Sequence, residues 1–235
     1  MTIPVDDAVV YPQGETPNST PIPARRPPGS LEVEVKFLVS DLKPVRERLA
    51  LAGAQLVNPR VFERNVRFDT IDEALLGRQE LLRLRHDTRI RLTFKGLAPE
   101  DVTSEAKVRE EIELEVGDFD RMALILERLG FVPVQVYEKY RETYHWRDVE
   151  IVLDEMPYGH FVELEGPEES LKEMAASLGL EWSRRVLANY LALMEWCRRT
   201  FDLPFSDLTF ENFKHHPVNM ADLLPICILS EGERS

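Results

Sequence analysis

Period-two alternation, repeated along most of the chain, constrains the fold more than any other feature. In LEVEVKFLV, Leu31 to Val39, the apolar Val33, Val35 and Phe37 alternate with Glu32, Glu34 and Lys36. This is the spacing of a strand with one apolar and one polar face. The polar face holds two carboxylates side by side, and like charges so placed raise each other's cost. Something else must make them tolerable.

The pattern recurs in RVFERNVRF, ELLRLRH, RIRLTFKG, VREEIELEV, QVYEKYRETYHW, VEIVLDE and HFVELEG. Turn residues such as Gly96, Pro99, Pro157 and Gly159 separate several of these runs. Arg83 and Arg85 share a face, as do Arg91, Thr93 and Lys95. So do Arg109, Glu111, Glu113 and Glu115, then Lys139 and Arg141, then Glu163 and Glu165. The opposite faces carry Leu82 and Leu84; Ile90, Leu92 and Phe94; Ile112, Leu114 and Val116; and Phe161 and Leu164. One charged face is an ordinary solvated surface. Six strands making the same choice, basic residues mainly on some and acids on others, suggest two walls around a ligand.

The expected fold is therefore α+β. It is a closed antiparallel β-barrel, a tunnel of about eight strands, with a charged lumen and helices packed outside. Lys36, Arg83, Arg85, Lys95, Lys139 and Arg141 form a basic wall suited to a polyanion, arginine giving a bidentate grip on phosphate. The acidic wall suits a hard divalent cation, Mg²⁺ or Mn²⁺, which takes carboxylate and phosphate oxygens together. A polyphosphate with its cation uses both walls.

Helices fill the intervals. Asp41 precedes LKPVRERLALAG, with Pro44 in its first turn and Gly53 past its end; Asp118 or Asp120 can cap FDRMALILERLG. EESLKEMAASLG ends at Gly179, and VLANYLALMEWCRR, about 186 to 199, is a fourth amphipathic segment. Strands with alternating glutamates (EVEVKF, EEIELEV, FVELEG) lead into helices closed by Gly53, Gly130 and Gly179, which suggests a repeated strand–helix unit. Residues 1–30, rich in Pro, Ser and Thr, read as a disordered tail; 31–199 read as one domain, and 200–235 as an extension packed outside it.

Bulk properties narrow the partners. A net charge of −13 makes nucleic acid a poor partner. No apolar run is long enough to span a bilayer, and the start lacks the marks of a secretory signal, so a cytoplasmic protein with no membrane contact is expected. Cys197 and Cys227 read as thiols, and His86, His145 and His160 lack zinc-ligand spacing. Asp69 reads either as a residue touching the site or as a turn cap.

The ordered motifs resemble the CYTH superfamily, named for class IV adenylate cyclase and thiamine triphosphatase and also called triphosphate tunnel metalloenzymes. The resemblance rests on Glu32-x-Glu34-x-Lys36, FDT at Phe68–Thr70, LRLR at Leu82–Arg85, TFKG at Thr93–Gly96 and REEIELE at Arg109–Glu115. EKYR at Glu138–Arg141, LDE at Leu153–Glu155 and FVELEG at Phe161–Gly166 complete it, over about 31 to 195. It implies an antiparallel tunnel. Glu32 and Glu34 would be metal-site and catalytic carboxylates, with Glu111, Glu113, Asp154, Glu163 and Glu165 as further metal-side acids. Lys36, Arg83, Arg85, Lys95, Arg109, Lys139 and Arg141 would hold a triphosphate. Two positions depart from the family's habit: Arg67 replaces an aromatic before FDT, and Asn189-Tyr190 replaces Ser-Tyr. Three functions remain open: a metal-dependent triphosphatase, a class IV adenylate cyclase making cyclic AMP, and a triphosphate- or polyphosphate-binding module without turnover. The oligomeric state is not legible.

Overall fold

A computed structural model describes residues 30–98 and 104–218. Eight antiparallel strands close into a ring: β1 (Ser30–Val39), β2 (Gln55–Asp69), β3 (Leu81–His86), β4 (Ile90–Leu97), β5 (Lys107–Val116), β6 (Val132–Trp146), β7 (Val149–Met156) and β8 (Gly159–Glu165). Their order round the ring is β1-β5-β4-β3-β2-β6-β7-β8. Closure leaves no edge strand, so every strand finds two partners. The α+β tunnel read from the alternation is the fold observed.

Among the described residues, six helices lie between or after the strands: α1 (Lys43–Leu51), α2 (Ala74–Gly77), α3 (Phe119–Arg128), α4 (Glu168–Ser177), α5 (Tyr190–Thr200) and α6 (Phe210–Lys214), with a short 3₁₀ turn over Trp182–Arg184. The three strand–helix echoes become β1–α1, β5–α3 and β8–α4, and each helix ends before a glycine in the left-handed region: Gly53 at φ 76°, Gly130 at 94° and Gly179 at 66°. Asp118, not Asp120, caps α3, accepting from Arg121 N at 2.9 Å. The fourth helix starts at Tyr190, later than expected, because Asn189 caps it by accepting from Ala192 N at 2.9 Å.

The apolar strand faces point outward. Val35 and Phe37 of β1, Ile151 and Leu153 of β7, and Val162 and Leu164 of β8 pack under Val45 and Leu49 of α1 and Leu171 and Met174 of α4. Burying each such side chain contributes about 1.5–3 kcal/mol. A second cluster sets Val66, Phe68 and Leu84 against Leu126 of α3. Among the described residues the helices pack outside part of the ring, and Ile112 and Leu114 on β5 remain exposed. One expectation needs correction. Phe161 does not share the outer face of Leu164; it pairs with Asp154 and packs edge-on against Tyr158 and Tyr190.

The segment after α5 is strapped to β6. Leu208 exchanges backbone hydrogen bonds with Val136 and Glu138 at 2.9 and 2.8 Å, and Leu203, Leu208 and Phe213 are buried. No described helix is long and apolar enough to cross a membrane. The tail read at residues 1–30 (Ser30 apart), Pro99, Cys227 and the end of the extension lie outside the described residues.

Candidate functional site

Strand register brings the polar faces together in the lumen. Lys36 pairs with Glu163, Glu34 with both Glu165 and Lys107, Lys95 with Glu111, Arg141 with Asp154, and Arg85 with both Asn65 and Arg91. The sequence-predicted residues thus line one channel. They do not form two separate walls, because acids and bases interleave.

One pole is crowded with donors. Asp154 is fully buried and accepts from Lys139 Nζ at 2.9 Å, from Arg141 Nε and Nη2 at 2.7 and 2.6 Å, and from the Tyr190 hydroxyl at 2.8 Å. Glu163 is 2.6 Å from Arg141 and 2.7 Å from Lys36. Glu63, also fully buried, accepts from Asn65 Nδ2 at 2.9 Å and faces Arg85 and Lys139 at 3.4 and 3.6 Å. Burial alone would push the Glu63 and Glu163 carboxyls up. The surrounding cations, led by Arg85 for Glu63 and Lys36 for Glu163, instead hold both well below the usual range. Burial and the nearby Arg83, Arg91 and Arg141 push the Arg85 guanidinium down. Arg83 donates to the Tyr137 hydroxyl at 3.1 Å and to Thr93 Oγ1 at 3.3 Å. Asp154, expected among metal-side acids, therefore has its oxygens engaged by cations and a phenol.

The other pole sets three carboxylates against two lysines. Lys95 Nζ lies between the Glu32 and Glu111 carboxylates, contacting the first and 3.1 Å from the second. Lys107 Nζ is 3.0 Å from Glu34. Burial, with Glu34 and Glu111 close by, pushes the Glu32 carboxyl up to about 7 against the pull of Lys95. Glu111 is half-buried, yet Lys95 and Arg83 draw it down to about 2. Glu34 is lowered by Lys107 and Lys36 despite its burial. Glu113 accepts from Thr93 Oγ1 at 2.8 Å and lies 3.6 Å from Arg91. Arg109 donates to the Gln79 carbonyl at 2.6 Å, tied to the β2–β3 loop.

Among the described residues no three carboxylates converge into a ready cation cage; lysines stand between them. The donors nevertheless fit a hard divalent cation. Glu32, Glu34 and Glu111 offer carboxylate oxygens, and of the three only Glu32 is raised, by its burial and by the charges of Glu34 and Glu111.

Six lumen residues escaped the sequence reading as site candidates: Glu63, Asn65, Arg67, Lys107, Tyr137 and Tyr190. The alternation held the signal for the first three, because VFERNVRF continues Val61, Glu63, Asn65 and Arg67 on one face. Lys107 likewise precedes Arg109 by two. Tyr190 enters from a helix, where strand parity says nothing.

A model described as the CYTH domain matches residues 30–185. A Methanocaldococcus jannaschii protein named as a candidate adenylate cyclase is 34% identical over 137 residues, which is 57% of this chain and 76% of that one. A crystal structure of a candidate adenylate cyclase from Vibrio parahaemolyticus superimposes with a TM-score of 0.62 at 19% identity, covering 71% of this chain and 99% of that one. A Hippeastrum protein, named as a candidate adenylyl cyclase and described as having a dominant triphosphatase activity, gives a TM-score of 0.51 at 20% identity, covering 71% and 95%. At these identities the two structures speak for the fold alone.

Proposed function

The chain belongs to the CYTH domain family, and on that premise we propose that its lumen hydrolyses a triphosphate, inorganic or organic, with a divalent cation. The observation that carries this reading is the two-pole lumen: a cluster of buried arginines and lysines ordered on Glu63 and Asp154, and beside it the three carboxylates Glu32, Glu34 and Glu111, which share Lys95 and Lys107.

Lys36, Arg83, Arg85, Lys95, Lys139 and Arg141 would grip the phosphate oxygens. Their fixed charges stabilise the negative charge that spreads over the transferred phosphoryl group. Asp154 and Glu63 hold Arg85, Lys139 and Arg141 in place before substrate arrives, so little reorganisation of these three is needed. Glu32, Glu34 and Glu111 would hold Mg²⁺ or Mn²⁺, with Glu113, Glu163 and Glu165 on the same lumen face. When bound, the cation supplies charge neutralisation at the phosphate oxygens. Water attacks the terminal phosphorus and gives up a proton to the Glu32 or Glu34 carboxylate. The bridging P–O bond breaks, and orthophosphate and the shortened phosphate chain leave.

The name of the archaeal relative favours a second reading, an adenylate cyclase. There the ribose 3′ hydroxyl would attack the innermost phosphorus of ATP and expel pyrophosphate, with the same grip on the triphosphate. The test is a product assay with Mg²⁺ or Mn²⁺ on tripolyphosphate, ATP and thiamine triphosphate. Orthophosphate release that disappears in Glu34→Gln supports the hydrolase. Cyclic AMP with pyrophosphate assigns the cyclase. Metal-dependent binding without turnover leaves a binding module.

A further inference from the structure

We propose that Arg67 is a specificity-determining residue that grips the phosphate at the end of the chain where a triphosphate ester carries its substituent, biasing the lumen toward inorganic polyphosphates, whose phosphate at that end is unesterified, over triphosphate esters. This rests on the phosphate-binding reading above. Arg67 lies on the lumen face of β2 and is only 8% exposed. Its direct cross-strand partner on β3 is Arg83, itself buried. Like charges directly opposite one another destabilise a sheet, and burial removes the water that would screen them.

Arg83 donates to Tyr137 and Thr93, with Glu63 and Glu111 near enough to offset its charge, whereas Arg67 has no hydrogen-bonded acid among the described residues. Arg67 Nη2 is 3.9 Å from Asp69 Oδ2 and 3.7 Å from Glu73 Oε1, too far for hydrogen bonds. The Asp69 carboxylate is engaged elsewhere, accepting from Thr70 N, Leu75 N and Leu76 N at 2.8, 2.9 and 3.0 Å. Gln135, the partner of Arg67 on β6, donates its amide to the Ser206 carbonyl at 2.6 Å. The buried Nε atoms of Arg67 and Arg83 both lack a hydrogen-bond partner. Two facing guanidiniums with unmet donors are complementary to one group bearing several anionic oxygens. An unesterified terminal phosphate has three such oxygens and up to two charges; tripolyphosphate offers one at each end, ATP only at its γ end. An esterified phosphate has fewer of both and adds a bulky substituent.

The test compares kcat/KM for tripolyphosphate and ATP in the wild type, Arg67→Gln and Arg67→Lys. Loss of a charge-assisted contact predicts a fall of about tenfold or more for Arg67→Gln on tripolyphosphate, carried by KM. The loss on ATP is several-fold smaller, and Arg67→Lys lies between. Because the substitution relieves a like-charge pair, Arg67→Gln without ligand melts no lower than the wild type. Equal losses on both substrates, or none, overturn the inference. If the wild type turns over neither compound, the hydrolase reading fails. Calorimetric titration of tripolyphosphate against ATP then decides Arg67 by the same ratio of affinities.

Discussion

Asp154 and Glu32 are both buried carboxylates on the wall of one lumen, and their surroundings are opposite. Asp154 accepts from a lysine, an arginine and a tyrosine hydroxyl. Glu32 has a share in one lysine, which Glu111 also contacts, and Glu34 adds negative charge nearby. A carboxylate in such a channel can therefore do either of two jobs. Saturated with donors, it aims cations at a ligand. Left short of donors, it waits for a cation of its own. The family motif places both residues in one list, and only the donor count separates them.

The sharpest way to break this contrast is to neutralise each carboxylate in turn. Asp154→Asn leaves Lys139 and Arg141 buried without their main acceptor, and removing one partner of a buried pair costs about 3–5 kcal/mol. Urea unfolding should show that loss with or without Mg²⁺. Glu32→Gln should behave the other way, unfolding no more easily than the wild type in the absence of cation but losing stabilisation by Mg²⁺. A large loss of apo stability in Glu32→Gln, or none in Asp154→Asn, would erase the distinction.

A smaller effect follows from protonation. The folded value for Glu32, about 7, lies above its usual 4.5. The proton it holds therefore stabilises the apo fold; that contribution is fully present below 4.5 and is lost as pH rises to about 7. A cation needs the ionised carboxylate, so Mg²⁺ binding should strengthen as pH rises through 7 and then level off. Calorimetric titration between pH 6 and 8 in two buffers of different ionisation enthalpy should show proton release on the acid side. A cation affinity flat across this range would remove Glu32 from the cation pole.

Much of this was legible in the chain. Period-two alternation located the strands and told inside from outside, because strand parity needs no tertiary information. It failed where parity is not the deciding rule. Phe161 has the parity of Glu163, and its apolar character hid its place beside Tyr190. The job of Asp154 depends on Tyr190, which arrives from α5, thirty-six positions along the chain. The exposed Ile112 and Leu114 show the converse limit: alternation marks a face as apolar without saying whether a helix will cover it. Sorted charge suggested two walls, but ion pairs form across strands, so the lumen settles into poles.

Tyr190→Phe tests the donor count on Asp154 with the least disturbance. The ring packs edge-on against Phe161 at 5.2 Å, and the Lys36 ammonium lies 4.7 Å from its centre. Phenylalanine keeps both contacts and removes only the hydroxyl, which donates to Asp154 at 2.8 Å. Lys139 and Arg141 still hold the carboxylate, so the loss should be about 1 kcal/mol, below the 1.5–3 kcal/mol usual for a hydrogen bond to a charged group. Mg²⁺ stabilisation should be unchanged, because the cation pole is untouched. A loss as large as that of Asp154→Asn would mean that the phenol, and through it the docking of α5, holds this carboxylate in place. The cation-aiming role would then belong to the helix as much as to the strand.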